Sequence, residues 1–160
     1  MLLPKPSRQT VVRGTDSGFR CTRKTTGKPE QLLSEITEAF ATVYLKNVNQ
    51  RNFITLLHAV TGTTALRSFL PYLSPATTSK MLRYGWQTAA GLYSISGIGS
   101  TNRLPETQEI KSEDLIGRAI ASNEEHIIKF TEASLREYTL NPKPIYLQAA
   151  RDVFERIVPV

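Results

Sequence analysis

The sequence contains one cysteine, Cys21, among its 160 residues. A single sulfur excludes an internal disulfide and any zinc site built from several cysteines, so a metal would need histidine or oxygen ligands. Runs of about 20 apolar residues, the length of a membrane-spanning helix, are also absent. The apolar start Met1 to Leu3 is too short for a secretory signal. We therefore expect a soluble, cytoplasmic protein with no membrane partner.

Motifs for nucleotide binding and for hydrolysis are missing as well. The glycine-containing stretch from Ser96 to Ser100 follows a predicted helix rather than a strand and lacks the Gly-Lys-Ser/Thr ending of a phosphate loop. No Gly-x-Ser-x-Gly elbow occurs, and Cys21 is far in sequence from both histidines. These absences disfavour a nucleotide-binding protein and a serine or cysteine hydrolase.

The positive charge is confined to the first residues of the chain. Residues 1–28 carry seven basic side chains and one acidic side chain, which accounts for the whole net charge of +6. Such a composition predicts a disordered basic arm that precedes a neutral helical domain over residues 29–160. A transit peptide or weak RNA binding are alternatives for the arm, but the neutral remainder predicts no specific nucleic-acid partner.

Apolar residues recur at spacings of three and four along the rest of the chain, as in amphipathic helices. The pattern predicts helices over roughly residues 30–47, 52–73, 75–95, 112–121, 122–139 and 145–157. Ser74 before Pro75 predicts the start of the third helix, and Ser122 with Glu125 has the spacing of a capping box for the fifth. Pro71 or Gly62 would permit a kink in the second.

No repeat or strand-like alternation is present, so we predict an all-α fold of five to six packed helices in one domain. The third predicted helix is rich in small residues, namely Gly85, Ala89, Ala90 and Gly91. Small side chains allow another helix to approach closely, which would suit a dimer interface.

The chain has two histidines, His58 and His126, each in a predicted helix. Histidine is the commonest metal ligand and a frequent general base, so both residues are candidates for one site. His58 lies beside the apolar stripe of its helix, and we expect it to be at least partly buried. The alternative is a structural histidine bonded to a backbone carbonyl or to Thr61.

Lys129 follows His126 by three positions and therefore lies on the same helix face. A partly buried Lys129 could act as a base or, after carboxylation by carbon dioxide, as an oxygen ligand. The alternative is a solvated lysine paired with Glu125. Trp86, Tyr84, Tyr93 and Tyr138 could form the walls of a pocket for a flat substrate, with Thr61 beside His58, although aromatic residues are more often core.

Two stretches resemble the questin oxidase-like family. The first is FITLLHAVTGTTALR at residues 53–67, followed by Leu70 and Pro71, which is similar to that family's apolar-His-x-x-Thr helix. The second is EEHIIKF at residues 124–130, followed by LREY at 135–138 and PIYLQAA at 144–150, which is similar to its C-terminal stretch in order and spacing. The resemblance covers residues 36–157.

This resemblance implies a helical, oxygen-dependent oxidoreductase, a monooxygenase of secondary metabolism acting on aromatic polyketide or anthraquinone-type substrates. It implies non-haem iron, and by matched position it nominates His58 and a carboxylated Lys129, with His126 nearby, as catalytic residues and metal ligands. Trp86, Tyr93 and Thr61 remain the predicted substrate-pocket residues from the side-chain pattern. NADPH is a candidate electron donor.

The chain departs from the family in carrying only its C-terminal portion, so it could be truncated and inactive alone. The remaining ligands would come from a missing N-terminal half. A non-catalytic helical interaction module that forms a homodimer is the alternative function.

Overall fold

The computed structural model describes residues 27–96 and 110–157. In these ranges the chain forms six α-helices and a 3₁₀ segment without any strand, which confirms the all-α prediction. The helices are α1 (Pro29–Asn47), α2 (Phe53–Ala65), α3 (Pro75–Ile95), α4 (Ser112–Ser122), α5 (Glu125–Leu140) and α6 (Pro144–Arg156). Residues 1–26 of the predicted arm and the glycine-containing loop after α3 lie outside the described residues. None of the described helices combines the length and apolar character needed to cross a bilayer.

Local signals set most of the helix ends. Ser74 caps α3 as predicted, because its hydroxyl accepts a hydrogen bond from the Thr77 amide at 3.3 Å. The second predicted helix is wrong beyond Ala65, where the chain continues as the 3₁₀ segment Leu66–Tyr72. Pro71 lies in this segment, and its missing N–H disfavours a continued α-helix there.

The predicted capping box at the start of α5 is wrong. Ser122 is the last residue of α4, and its hydroxyl donates to the Ala119 carbonyl at 2.7 Å. Asn123 then adopts a left-handed conformation with φ of 49°, which ends α4 as asparagine often does. Glu124 is therefore the residue that caps α5, and its carboxylate accepts from the Ile127 amide at 2.9 Å.

Helix α2 lies at the centre of the arrangement and runs antiparallel to α1 and α3. The hydroxyls of Thr37 on α1 and Thr63 on α2 are 3.4 Å apart. At the α3 contact the Asn52 side chain, before α2, donates to the carbonyl of Ser96, after α3, at 3.3 Å. These contacts pack α2 against both neighbouring helices.

Helix α5 packs on α2 in the parallel sense. His58 on α2 lies beside His126 at the start of α5, and Arg67, just after α2, bonds Glu137 near the end of α5. Residues that come earlier in one helix thus meet residues that come earlier in the other. This parallel alignment decides which side chains share the groove described below.

The main core is formed where α1, α2, α5 and α6 meet. Tyr44 and Phe130 are fully buried there, with ring centroids 4.8 Å apart. Other members are Leu45, Val48, Leu56, Leu57, Val60, Ala89, Ile127 and Val153. Burial of each such large side chain contributes about 1.5–3 kcal/mol relative to exposure. A smaller cluster of Leu115, Leu147 and Ala150 attaches α4 to α6.

The small residues of α3 are used inside this fold. A Cβ on Gly85 would overlap the Leu66 side chain of the 3₁₀ segment, and Ala89 is buried in the main core. Gly91 has open space around it. The small residues of α3 therefore allow close packing within this chain, where the Leu66 side chain contacts Gly85.

Candidate functional site

The start of α5 fixes the orientation of His126. One carboxylate oxygen of Glu124 accepts from the Ile127 amide, and the other lies 2.9 Å from His126 Nδ1. Burial opposes ionisation of Glu124, but the hydrogen bonds from His126 and Ile127 outweigh it and lower the pKa of this carboxyl. Because an ionised carboxylate only accepts, Nδ1 of His126 donates, and Nε2 is the nitrogen left for a ligand or a proton.

His58 lies on α2 directly opposite this group. Its ring centroid is 6.0 Å from that of His126, and the two rings are edge to face at 67°. The prediction that His58 is at least partly buried is wrong, because the side chain is exposed. Thr61 Oγ1 donates to the Leu57 carbonyl at 3.2 Å, and His58 makes no hydrogen bond within the described ranges. The two histidine rings thus lie side by side. The His126 ring is oriented by Glu124, and the His58 ring has no hydrogen bond among the described residues.

The Lys129 side chain is more exposed to solvent than we expect for a carboxylated metal ligand. Its side chain is 65% exposed, and its amine donates to Glu125 at 2.9 Å. The predicted partial burial of Lys129, on which its role as a base or ligand depended, is therefore wrong. The alternative, a solvated lysine paired with Glu125, is confirmed. Lys129 still lines the same groove as His58.

The described residues alone do not fit a complete iron centre. In residues 27–96 and 110–157 no group of three histidine, cysteine or acidic side chains is arranged to hold a metal. A catalytic iron or zinc ordinarily has three protein ligands. His58 and His126 would supply two, and Glu124 is already bonded to His126 and to the Ile127 amide. An iron site would therefore need ligands from outside these residues.

A groove of about 660 Å³ runs along α2 from His58, with α3 and α5 as its sides. We call it the His58 groove. Its lining residues are His58, Thr61, Gly62, Thr64 and Ala65 from α2, Thr88 and Leu92 from α3, and Ile128, Lys129, Glu132, Ala133 and Arg136 from α5. The mixture of hydroxyls, small apolar side chains and charged ends suits a small organic ligand better than a bare ion.

The predicted pocket residues do not share one cavity. Thr61 lines the His58 groove, but Trp86 is half exposed and lines a separate apolar groove of about 450 Å³ between α1 and α3. Tyr93 is partly buried against the main core. Tyr138 packs on the smaller cluster, and Tyr84 lies in the cleft between α2 and α3 that His58 also borders. Trp86 and Tyr93 are thus not placed beside Thr61.

Sequence reasoning missed two residues that the geometry brings forward, Glu124 and Arg136. Glu124 orients His126, and an acidic residue just before a helix whose first turn carries His126 was a signal for that role. Arg136 lines the far part of the His58 groove. No local signal marks Arg136, because its position in the groove depends on the packing of α5 against α2.

Comparisons of this chain with protein-family models, with curated proteins and with solved structures found no match.

Proposed function

We propose that this chain is the C-terminal part of a questin oxidase-like oxidoreductase, an oxygen-dependent cytoplasmic enzyme that acts on aromatic polyketide or anthraquinone-type substrates. The observation that carries the proposal is the 6.0 Å approach of His58 and His126. These are the histidines of the two stretches that resemble the family, and they lie on different helices.

The chain would contribute a share of an iron site rather than the whole of it. Glu124 holds His126 by Nδ1, which leaves Nε2 as the ligating nitrogen, and carboxylate partners of this kind fix the orientation of metal-bound histidines. His58 is exposed and makes no hydrogen bond among the described residues, so its ring is available. The remaining ligands would come from a separate N-terminal half or from a second copy of the chain. NADPH as electron donor remains part of this proposal.

Lys129 could serve as a carboxylated ligand only after one change in its contacts. Its amine is now bonded to Glu125, and carboxylation requires that this ion pair be released. The Lys129→Arg variant keeps the positive charge and the pairing but cannot be carboxylated. Lys143→Arg is a matched control, because Lys143 is also a half-exposed lysine that pairs with a glutamate, Glu38.

The test is iron retention by the full chain in equilibrium dialysis. Protein would be dialysed against dilute Fe²⁺ without oxygen, and the bound iron measured by elemental analysis, because two histidine ligands completed by water hold iron too weakly for desalting. We expect wild type to retain iron, His58→Gln and His126→Gln to lose it, and Glu124→Gln to bind about tenfold more weakly. Glu113→Gln, at an exposed glutamate of α4, is the control and should bind as wild type does. Wild type that retains no iron, or histidine variants that retain as much as wild type, would overturn the proposal.

A second candidate, a non-catalytic interaction module, is favoured by the apolar groove between α1 and α3. Leu32, Ile36 and Leu82 line it, and Trp86 beside them is half exposed. Exposed apolar surface of this kind is common at protein interfaces. Sedimentation velocity should then show a concentration-dependent homodimer that Trp86→Glu abolishes and Tyr72→Glu, at another exposed aromatic, leaves intact. A monomer at all concentrations would rule this candidate out.

A further inference from the structure

The His58 groove has different chemistry at its two ends. His58 lines one end, and His126, which is outside the groove lining, lies beside it with a ring-centroid distance of 6.0 Å. Arg136 lies toward the other end, seven residues after Lys129 on α5. Seven residues of helix rise correspond to about 10 Å. A ligand that spans the groove would therefore meet the His58 imidazole at one end and the Arg136 guanidinium at the other.

The Arg136 guanidinium is held less tightly by protein acceptors than that of Arg67. Its Nε is shielded from solvent and has no hydrogen-bond partner, and the closest carboxylate oxygen, Oε1 of Glu132, is 3.5 Å away. Arg67, by contrast, donates to both carboxylate oxygens of Glu137, to Ser34 Oγ and to the Glu30 carbonyl. The Arg136 side chain is 35% exposed and its ion pair with Glu132 is long, so its guanidinium can exchange Glu132 for a carboxylate supplied by a ligand.

The middle of the groove is suited to a flat, largely apolar body. Thr61 and Thr64 donate their hydroxyl hydrogens to carbonyls of their own helix, so neither hydroxyl demands a partner from the ligand. Ala65 and Ala133 are small, and Leu92 adds apolar surface. No side chain along this stretch requires a charged or strongly polar ligand group. The charged side chains at that end are Arg136 and its ion-pair partner Glu132, since Lys129 is paired with Glu125.

We propose that the His58 groove binds an aromatic carboxylate, with the carboxylate on Arg136 and the ring system directed toward His58. A guanidinium holds a carboxylate through two parallel hydrogen bonds, a geometry that a lysine cannot provide. Glu132 is the competing acceptor, at the edge of ion-pair distance and 60% exposed, so a ligand carboxylate displaces it easily. This assignment of the substrate class rests on the proposed function for the chemistry at the histidine end, but the binding step itself needs no metal.

The test compares two probes of equal shape, anthraquinone-2-carboxylate and anthraquinone-2-carboxamide, on the full chain without metal. Binding is followed by NMR of the ring C–H groups of histidine, because the chain contains only two histidines. We expect the carboxylate to bind about tenfold or more tightly than the amide and to shift the His58 signal. Equal affinities, or selective binding that leaves the His58 signal unmoved, would overturn the proposal.

Variants then locate the charge effect. Arg136→Gln should remove the preference for the carboxylate, and Arg136→Lys should restore only part of it because lysine lacks the planar fork. Glu132→Gln should strengthen carboxylate binding, since it removes the competing acceptor. Arg83→Gln, at an exposed arginine of α3, is the matched control and should leave both affinities unchanged. Arg136→Gln that retains the preference, with its helical circular dichroism intact, would refute the assignment.

Failure of this proposal can be told apart from failure of the proposed function. Iron retention depends on His58 and His126 and is measured without an organic probe, whereas probe binding is measured without iron. A chain that retains iron but does not distinguish the two probes refutes the Arg136 assignment alone. A chain that distinguishes the probes through Arg136 but retains no iron supports the carboxylate site and refutes the iron proposal.

Discussion

Arg67 and Glu137, 70 positions apart, form a two-pronged ion pair with N–O distances of 2.9 and 2.8 Å. Glu137 is fully buried, and the Arg67 side chain is 15% exposed. The pair joins the 3₁₀ segment to the far end of α5, while His58 and His126 meet at the near end. It therefore helps to hold α2 and α5 in the parallel alignment that creates the His58 groove.

Breaking this pair should destabilise the fold strongly. Glu137→Gln or Arg67→Met leaves a buried charge without its partner, and we expect the free energy of unfolding in urea to fall by about 3–5 kcal/mol. Arg67→Met combined with Glu137→Leu should recover part of the loss, because no charge then remains buried. Lys143→Gln, which removes an exposed pair at 3.8 Å, is the control and should change little. Single variants as stable as wild type would show that the pair is dispensable.

Glu124 should make stability depend on acid pH. Its pKa is lowered in the folded state, so its contribution is present above the ordinary carboxyl pKa and is lost as the pH falls through the folded value. At neutral pH, Glu124→Gln should cost about 1 kcal/mol, the usual effect of losing a helix cap. The difference from wild type should shrink as the pH falls below about 4. An equal difference at pH 7 and at pH 3 would contradict the assigned role. Glu35, an exposed glutamate of α1, is the control position.

Two buried tyrosines should make the fold sensitive to alkali. Burial raises the pKa of Tyr146 to about 12, and burial together with the Asp152 carboxylate raises the pKa of Tyr44 well above the ordinary value. A raised folded pKa contributes stability that is complete below about pH 10 and is lost as the pH rises from there toward the folded value. The free energy of unfolding should therefore decline above about pH 10.

Absorbance at 295 nm can test this decline, since ionised tyrosine absorbs there. Of the six tyrosines, Tyr44 and Tyr146 should ionise only as the helical circular dichroism is lost. Tyr146→Phe should weaken the dependence of stability on alkaline pH, and Tyr72→Phe, at an 85% exposed position, should not. Ionisation of all six tyrosines while the circular dichroism is unchanged would contradict the prediction.

Gly85 and Leu66 should be energetically coupled. A Cβ on Gly85 would overlap the Leu66 side chain, so Gly85→Ala gains helix propensity but forces Leu66 to move. We expect Gly85→Ala to be less favourable in wild type than in a Leu66→Ala background, by about 1 kcal/mol in a double-mutant cycle. Gly91→Ala in the same helix meets open space and should stabilise by about 0.5–1 kcal/mol. Additive effects of the two substitutions would show that the contact is not made.

Much of the secondary structure could be predicted because its causes are local. Ser74 before Pro75 predicted the start of α3, and Lys129 four residues after Glu125 predicted their ion pair. The start of α5 was predicted a few residues too early, because the side chains of Ser122 and Glu124 can both accept hydrogen bonds near the first turn of this helix. The left-handed conformation of Asn123 decides between them, and the spacing of a capping box carries no information about it.

The candidate site was less predictable. The sequence nominated His58 and His126, but the side-chain pattern of α2 predicted burial for His58, which is exposed. It also grouped Trp86 with Thr61, which lie in different cavities. Glu124 and Arg136 were not nominated at all. Each of these outcomes depends on which neighbouring helix covers a given face, and the periodicity of one helix does not specify its neighbour.

The sequence by itself determined the all-α class, most helix limits and the presence of two histidines in helices, since hydrogen bonds and side-chain contacts within a few residues control these features. The tertiary structure alone decided that α2 and α5 lie side by side in the parallel sense. That alignment rests on the Arg67–Glu137 pair and on burial of Phe130 and Ile127 among residues distant in sequence. It brings His58 within 6.0 Å of His126 and places Arg136 in the same groove, because long-range packing chooses the partners of each helix face.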